Sequence, residues 1–342
     1  MEPAIAENLR VERTLPPRVG ADFHPPYPSY VARFKPGVMR LAMAYFGVQD
    51  SGDAAEAARA NAWIAEAFAE TNGPSHWDRA EYVDENGCPS TVSAAYWDDI
   101  PAFDVWLAAV RPRWTRGAWA NIGVFIEALR PSLEGFETLF SSLGRAEGAA
   151  VLSESMSGEI PEHAYWGGMR DRIPLSQVDA MTPAGSPAVE RAGACITVIP
   201  HENLCLIRSG QDWGDTDDAE RKMYLTDIEP VLREGMEYLR DDGLPIGCFA
   251  NRYVTVLDAA GQPTEKTYGV SWWRGLAQLE RWAESHPTHL EIFGAAMKYL
   301  RQLGPAAKLR LYHEVTVARS DEQFFEYRNC HAKTGMLRAA GA

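Results

Sequence analysis

The sequence holds only five cysteines among 342 residues, and no two of them form a C-x-x-C pair. An odd number of scattered thiols argues against a disulfide framework and indicates a reducing, cytoplasmic setting. No run of about 18 apolar residues occurs, so we expect no membrane-spanning segment. The N-terminal stretch MEPAIAENLRVERTLPPRV also lacks the apolar centre of a secretory signal.

Basic clusters and the common catalytic loops are missing as well. The formal net charge is −14, from 33 Lys and Arg against 47 Asp and Glu, and this argues against a groove that binds nucleic acid. The motifs G-x-G-x-x-G, G-x-x-x-x-G-K-[ST], G-x-S-x-G and H-E-x-x-H do not occur. Nucleotide-binding loops, serine hydrolases and zincins therefore have no support.

What the sequence does contain is material for a large core. A hydrophobic content of 46% and 11 tryptophans fit a single domain that spans residues 1–342. The proline-rich residues 1–35 predict an irregular arm. Two regions follow, over about 38–145 and about 195–320, in which strands and helices are predicted in the same succession.

One internal match supports a repeat. The stretch YWDDIPAFDVW at 96–106 aligns with WWRGLAQLERW at 272–282. The aligned apolar pairs are Trp97 with Trp273, Ile100 with Leu276, Phe103 with Leu279 and Trp106 with Trp282. The pattern predicts an α+β fold in which two fused ferredoxin-like repeats form a barrel. The same offset sets His289 opposite Arg113, so we expect one site, in the C-terminal half.

The segment RWAESHPTHLEIF places two histidines three residues apart at the start of a helix. Pro287 fits the first turn, with Ser285 as the expected N-cap. His289 then shares an apolar face with Phe293 and later residues at helical spacing. Three interpretations stay open: a packed core histidine, a zinc pair with His286, or one axial ligand for a cofactor.

The strand predicted at LRLYHEVTV carries His313 as a lone ionisable group on its buried face. Such a histidine is either a hydrogen-bonded core residue or a tuned proton donor. The segment GEIPEHAYWGGMRDR carries Arg170 and Arg172, which by themselves fit a surface loop. Ser209 in LIRSGQDW fits a turn residue at the end of a strand.

Taken in order along nearly the whole chain, these segments resemble the haem-containing aldoxime dehydratases. The matching motifs are RTLPPR, PPYPSYV, GEIPEHAYWGGMRDR, LIRSGQDW, ERWAESHPTHL, KLRLYHEV and NCHAKTGMLR. The resemblance implies haem b with ferrous iron, bound non-covalently since C-x-x-C-H is absent. It implies conversion of an aldoxime, R–CH=N–OH, to a nitrile and water, by a homodimer with a haem domain of the dimeric α+β barrel type.

The resemblance also assigns roles to single residues. His289 of SHPTHL resembles the proximal ligand of the haem iron, and His313 of LYHEV resembles the distal catalytic histidine. Arg172 of MRDR and Ser209 of RSGQDW resemble the residues that hold the oxime hydroxyl. Glu137 of FETLF resembles the carboxylate that supports the distal histidine.

Two other functions stay open from the residues alone. A haem peroxidase would also use a distal His–Arg pair, and it would pair its proximal histidine with a carboxylate. A non-catalytic haem carrier or gas sensor would need His289 but would have no use for the serine, arginine and glutamate. The choice of Arg172 over Arg170 and the preference for alkyl or aryl aldoximes also stay open.

Overall fold

The computed structural model describes residues 1–20, 22–117, 119–164 and 168–341, and these have a mixed α/β fold. The strands of these residues are β1 Ala32–Arg33, β2 Ala42–Gln49, β3 His76–Val83, β4 Pro89–Trp97, β5 Gly123–Leu129, β6 Phe136–Phe140, β7 Ser155–Met156, β8 Ala188–Ala192, β9 Cys195–Ile199, β10 Leu204–Asp212, β11 Cys248–Leu257, β12 Pro263–Trp273, β13 Arg310–Ala318 and β14 Gln323–Arg328. Their α-helices are α1 Ala54–Phe68, α2 Ile100–Thr115, α3 Gly168–Arg172, α4 Asp218–Met223, α5 Glu229–Asp242, α6 Leu276–Ser285, α7 Pro287–Leu303 and α8 Met336–Ala339. A π-helical turn at Tyr224–Ile228 joins α4 to α5.

Two halves of the chain follow the same order of elements. The first half runs β2-α1-β3-β4-α2-β5, and the second runs β10-α4-α5-β11-β12-α6-α7-β13. Within the sheet their strands lie in the orders β3-β4-β2-β5 and β11-β12-β10-β13, with antiparallel pairing throughout. Trp97 and Trp273, which the internal match aligns, each end the third strand of their half and are both buried.

The fifth strand of each half is exchanged. β6 follows the first half in sequence but pairs with β13 of the second, and β14 follows the second half but pairs with β5 of the first. The continuous sheet therefore has the order β6-β13-β10-β12-β11-β3-β4-β2-β5-β14-β9-β8. The exchange sets Glu137 of β6 beside the strand that holds His313.

One face of this sheet lines an interior that both halves share, and the other face carries helices. α1 and α2 cover the outer face of the first half, and α5 and α6 cover that of the second. The interior also buries charge: Arg252 donates to the two oxygens of Glu127 at 2.6 and 2.8 Å. Tyr327 and Trp272 donate to the same carboxylate at 2.8 Å each, so both oxygens of this buried carboxylate are hydrogen-bonded.

β13 has two buried faces where the sequence predicted one. Tyr312 and Glu314, on the face opposite His313, are 8% and 2% exposed because that face lines the shared interior. There Glu314 accepts hydrogen bonds from the Tyr96 hydroxyl at 2.7 Å and from the Ala149 N–H at 2.8 Å. His313 lies on the outer face, which the helices of the second half cover.

The helix starts follow local capping rules, with one correction. Asp53 accepts a hydrogen bond from the N–H of Glu56 and caps α1. The expected N-cap at Ser285 is wrong, because α6 continues through Ser285 and the break falls at His286, just before α7 begins. A residue that precedes proline is driven out of the helical region, and His286 is extended, with φ −77° and ψ 133°. No helix within the described residues is long and apolar enough to cross a membrane.

A substitution at Gly335 tests how tightly the pair of Arg252 and Glu127 is packed in the shared interior. Its φ is 50°, and a Cβ built there would contact the side chains of Glu127, Tyr327 and Arg252. Gly335→Ala should therefore cost clearly more stability than the roughly 1–2 kcal/mol of a left-handed backbone. Gly87→Ala is the matched control, because Gly87 has φ 77° and open space around it. Equal losses for both variants in urea unfolding would show that the interior relaxes around the new methyl group.

Candidate active site

Three charged or titratable side chains meet on the outer face of β6 and β13. Nε and Nη2 of Arg172 donate to the two oxygens of Glu137 at 2.7 and 3.2 Å. Nε2 of His313 lies 2.9 Å from Oε1 of Glu137 and 2.9 Å from Nη2 of Arg172. Because His313 pairs with Leu139 and Val315 pairs with Glu137, the histidine and the glutamate are diagonal neighbours on one face.

The charges of this cluster are removed from water and balanced against each other. Arg172 is 3% exposed and Glu137 is 4% exposed. Burial alone raises the pKa of Glu137, but Arg172 and then His313 outweigh it and hold that pKa below its ordinary value. A protonated Nε2 of His313 can donate to Glu137, and an unprotonated one can accept from Arg172. The same ring nitrogen therefore has a partner in both protonation states.

Glu162 and Gly168 hold the Arg172 side chain on its far side. Nη1 donates to the carbonyl of Glu162 at 2.8 Å, and a Cβ on Gly168 would lie 2.9 Å from that nitrogen. Close packing of the guanidinium therefore requires a small residue at 168. The motif continues through Tyr165–Gly167, which lie outside the described residues. Arg170 points elsewhere, since it forms a salt bridge of 2.7 Å with Glu280.

Ser209 lies directly beside His313. The two residues are register partners between β10 and β13, and Ser209 is also paired with Gly269 of β12. The sequence suggested a turn at Ser209, but β10 continues three residues further, to Asp212. The Ser209 hydroxyl is half-buried and makes no hydrogen bond with the part of the chain that the structure describes. It can therefore accept a hydrogen bond from a small molecule on this face or donate one to it.

His289 has the tautomer that a metal ligand needs. Its Nδ1 lies 3.0 Å from the carbonyl of Ala283, and a carbonyl can only accept, so Nδ1 carries the proton and Nε2 the lone pair. Burial lowers the pKa of His289 to about 4, which keeps the ring neutral at ordinary pH. The ring also packs edge-on against Trp282, with 4.4 Å between the ring centroids.

The helix around His289 fits a large apolar group. α7 packs chiefly against α5, α6 and the turn at Tyr224–Ile228 rather than on the strands. Of its 17 residues, all of which the structure describes, Tyr299 alone is buried. Apolar side chains such as Ile292, Phe293 and Met297 stay half-exposed. A neutral histidine at the start of this incompletely covered apolar face is a residue that could hold a haem.

The zinc interpretation of the two histidines has no support. His286 engages the Thr288 hydroxyl at 2.9 Å and stacks near Tyr238, with 4.6 Å between ring centroids. Among the described residues, the close cluster of three or more metal-ligating side chains lies elsewhere, at Asp84, Glu85 and His331. His286 and His289 therefore act separately.

The first half fills the corresponding space with aromatic rings. When the two halves are aligned on Trp97 and Trp273, the register partners of the positions four residues earlier are Phe46 in the first half and Ser209 in the second. Phe46 therefore occupies the place of Ser209. The strand registers likewise set Ile126 in place of His313 and Phe324 in place of Glu137. The ring of Phe46 is in contact with three neighbouring aromatic side chains, Phe68, Trp106 and Trp114, at centroid distances of 5.6, 5.6 and 6.1 Å. On this face of the sheet, the polar side chains of the described residues thus gather at β10 and β13 of the second half and at β6, which pairs with β13.

The residue of the first half that the internal match aligns with His289 also lacks a buried polar environment. Arg113 of α2 is exposed and forms a bidentate surface pair with Glu70, at 2.9 and 3.1 Å. Among the residues that the structure describes, Arg113 has no buried polar partner comparable to those of Arg172.

Sequence reasoning missed His163 and the Glu162 carbonyl. His163 is 9% exposed, and its Nδ1 lies 2.8 Å from the Ser29 hydroxyl. Burial and then the charge of Arg172 lower its pKa to about 4. The EHAYW motif was a signal for the histidine, whereas a backbone carbonyl leaves no trace in a sequence.

Comparison with known proteins identifies relatives over nearly the whole chain. The family model described as haem-containing dehydratase matches residues 44–336. Aliphatic aldoxime dehydratases of Pseudomonas chlororaphis and Rhodococcus erythropolis are 42% and 40% identical to the chain, covering 99% of it and 99% and 98% of their own lengths. Phenylacetaldoxime dehydratase of a Bacillus species is 31% identical over 90% of both chains.

Solved structures agree with these relatives. A crystal structure of an aldoxime dehydratase superposes with a TM-score of 0.94 at 42% identity, covering 99% of both chains. A second aldoxime dehydratase, crystallised with butyraldoxime, gives a TM-score of 0.94 at 39% identity, covering 99% of this chain and 97% of its own. The mixed α/β fold described above is therefore the fold of these structures.

Removal of the Glu137 carboxylate should be costly. Glu137→Ala leaves a buried guanidinium without its partner, so we expect a loss of about 3–5 kcal/mol in the free energy of unfolding. Glu70→Ala breaks the exposed pair with Arg113 and should cost at most about 1 kcal/mol. Losses of the same size for the two variants, measured by urea unfolding, would contradict a buried and tightly coupled pair.

The difference in unfolding free energy between the wild type and a variant without the Glu137 charge should also depend on pH. The pKa of Glu137 is lower in the folded protein than in the unfolded chain, so its contribution is present above the ordinary carboxyl pKa and is lost as the pH falls through the lowered one. The gap in stability between the wild type and Glu137→Gln should therefore narrow in acid. A gap that stays constant from neutral to acidic pH would show that the charge of Glu137 contributes nothing.

Proposed function

Since the chain belongs to the family of haem-containing dehydratases, we infer that it dehydrates aldoximes, R–CH=N–OH, to nitriles and water. The observation that carries the mechanism is the position of Nε2 of His313, 2.9 Å from both an acceptor on Glu137 and a donor on Arg172. A group that gives a proton and later takes one back needs a stable environment in both states. This cluster provides Glu137 as an acceptor for the protonated ring and Arg172 as a donor for the neutral ring.

We propose His289 as the residue that holds the haem, through its Nε2. The neutral tautomer fixed by the Ala283 carbonyl and the apolar face of α7 support that role. Haem b is the form we expect, because the C-x-x-C-H motif of covalent attachment is absent. When bound, the haem would supply a ferrous iron whose electron density can weaken the N–O bond of an oxime.

The protons are handled by His313. Hydroxide is a poor leaving group, so Nε2 of His313 gives its proton to the oxime hydroxyl, and the N–O bond breaks as water forms. The neutral Nε2 then gives up its hydrogen bond from Nη2 of Arg172 and takes the proton from the oxime carbon, which completes the nitrile. One proton is given and one returned, so no nicotinamide or flavin is required. Glu137 can accept a hydrogen bond from the protonated Nε2 while the ring is charged.

Ser209 and Arg172 orient the hydroxyl before it leaves. Ser209 is the register partner of His313 and has a hydroxyl that faces the same space. Arg172 offers fixed N–H donors whose position is set by Glu137 and the Glu162 carbonyl. Hydrogen bonds from both sides start N–O cleavage from a single geometry.

The two other functions fit these residues less well. In a peroxidase, the proximal histidine donates to a carboxylate that enriches the iron in electron density. Nδ1 of His289 instead faces the neutral carbonyl of Ala283. A haem carrier or gas sensor would derive no benefit from burying the costly pair of Arg172 and Glu137.

Several finer features are also part of this proposal. The common strand order of the two halves and their shared interior support two fused ferredoxin-like units in an α+β barrel. A homodimer is expected from the resemblance, and sedimentation of the haem-loaded protein tests it. The relatives at 40–42% identity are named for aliphatic aldoximes, so we propose aliphatic aldoximes as the preferred substrates, with phenylacetaldoxime as the comparison.

Substitutions at His313 and Ser209 test the proposed function. In an anaerobic assay of the dithionite-reduced, haem-loaded protein, His313→Ala should lower nitrile formation by roughly 10²–10⁴-fold, because the proton donor is lost. Ser209→Ala should also lower turnover while the haem spectrum is kept. A wild type that binds ferrous haem but forms no nitrile from aliphatic or arylalkyl aldoximes would sink the proposal, and peroxide oxidation and gas binding would then be tested.

Haem loading tests His289 separately. His289→Ala should lose the visible spectrum of histidine-bound haem, and added imidazole should restore part of it. His286→Ala, three residues earlier at the helix boundary, is the matched control and should load haem normally. Normal loading by His289→Ala together with failure of His286→Ala would reassign the ligand.

A further inference from the structure

The N-terminal arm is tied to the segment that carries Arg172. The part of the predicted arm (residues 1–35) that makes these contacts is residues 2–19, which include the motif RTLPPR. Ala4 N–H donates to Oε2 of Glu162 at 3.0 Å. Further along, the N–H groups of Thr14 and Leu15 donate to the carbonyl of Gln177 at 2.9 and 3.2 Å. The arm is therefore attached at Glu162 and at Gln177 rather than lying loosely on the surface.

Asp171 makes the attachment nearest to Arg172. Its Oδ1 accepts from the Arg18 N–H at 2.9 Å, and its Oδ2 accepts from the Val19 N–H at 2.8 Å. The side chain is charged and only 2% exposed. A buried carboxylate is costly unless its oxygens are hydrogen-bonded, so these two backbone donors fix both Asp171 and the end of the arm. Asp171 is the immediate neighbour of Arg172 in α3.

The arm also closes the outer side of the catalytic cluster. A cavity of about 50 Å³ lies between the arm and the cluster, and its walls include Ala4, Ile5, Glu137 and Arg172. Ala4 and Ile5 are each 6% exposed, so this part of the arm is packed against the rest of the protein. Without it, this side of the Glu137–Arg172 pair would be open to water.

We propose that Asp171 is a positioning residue for the dehydration, and that it acts by clamping the arm onto α3. The clamp fixes the position and orientation of α3. The helix α3 in turn holds the guanidinium of Arg172 against Glu137 and His313. This rests on the proposed role of Arg172 in the reaction. It gives RTLPPR a function that neither haem binding nor proton transfer requires.

Asp171→Asn is the sharpest variant. The asparagine keeps the shape, but its NH₂ group faces a backbone N–H where an acceptor is needed, so one of the two hydrogen bonds is lost. Amide hydrogen exchange in residues 14–19 should become faster. In the haem-loaded protein, kcat should fall roughly tenfold with little change in KM, because a small misplacement of a catalytic group reduces rate more than binding.

A double-mutant cycle separates positioning from a general loss of structure. Arg172→Lys keeps the charge but loses the two-pronged donor. If Asp171 acts through Arg172, Asp171→Asn should have no further effect on kcat in the Arg172→Lys background. The matched control is Asp258→Asn, because Asp258 also accepts two backbone N–H groups, at 2.9 and 2.8 Å, in the exposed turn between β11 and β12. Its kcat should equal that of the wild type.

Three results would overturn the inference. Unchanged exchange in Asp171→Asn would show that the carboxylate does not hold the arm. Faster exchange with unchanged kcat would show that the arm is held but positions nothing. Effects that multiply in the double variant would show that Asp171 acts independently of Arg172. The proposed function fails separately, if the wild type itself forms no nitrile.

Discussion

The ion pair between Arg172 and Glu137 constrains much of the structure around it. Two charges removed from water are tolerated only when they neutralise each other and their remaining hydrogen-bonding atoms are satisfied. Glu137 can reach the pair because β6 crosses to the sheet of the other half. Arg172 can reach it because the chain near Gly168 lets the guanidinium approach the Glu162 carbonyl. The exchanged strand and the short helix α3 are thus the supports on which His313 depends.

The two halves show how one scaffold serves two purposes. Their strand registers match, yet Phe46 and Ile126 stand in the first half where Ser209 and His313 stand in the second. Aromatic packing stabilises the first half, whereas the second half gives up that packing for polar side chains and an incompletely covered helix.

Sequence periodicity was sufficient to identify the strands and helices that carry the site. The alternation in LRLYHEVTV placed His313 on β13, and the helical spacing after Pro287 placed His289 on α7. LIRSGQDW predicted a strand that ends at Ser209, whereas β10 continues past it. The internal tryptophan match predicted one site in the C-terminal half; His289, Ser209 and His313 lie there, but Glu137 comes from β6, which follows the first half in sequence. The resemblance to a family then selected these residues among equally plausible core and loop residues.

Long-range pairing could not be predicted in this way. Nothing in FETLF signals that β6 joins the other half, because strand exchange depends on the whole sheet and not on local composition. The same holds for Arg172 against Arg170, since their destinations depend on how α3 is seated. Ser285 was misassigned because capping preference was weighed above the restriction that Pro287 imposes on the residue before it.

The most direct test of this account is a crystal structure of the reduced, haem-loaded protein, cooled rapidly after a brief soak with butyraldoxime. The account predicts that the oxime hydroxyl oxygen lies within hydrogen-bond distance, about 2.7–3.0 Å, of Nε2 of His313 and of the Ser209 hydroxyl. An oxime bound with its hydroxyl directed away from β10 and β13 would contradict it.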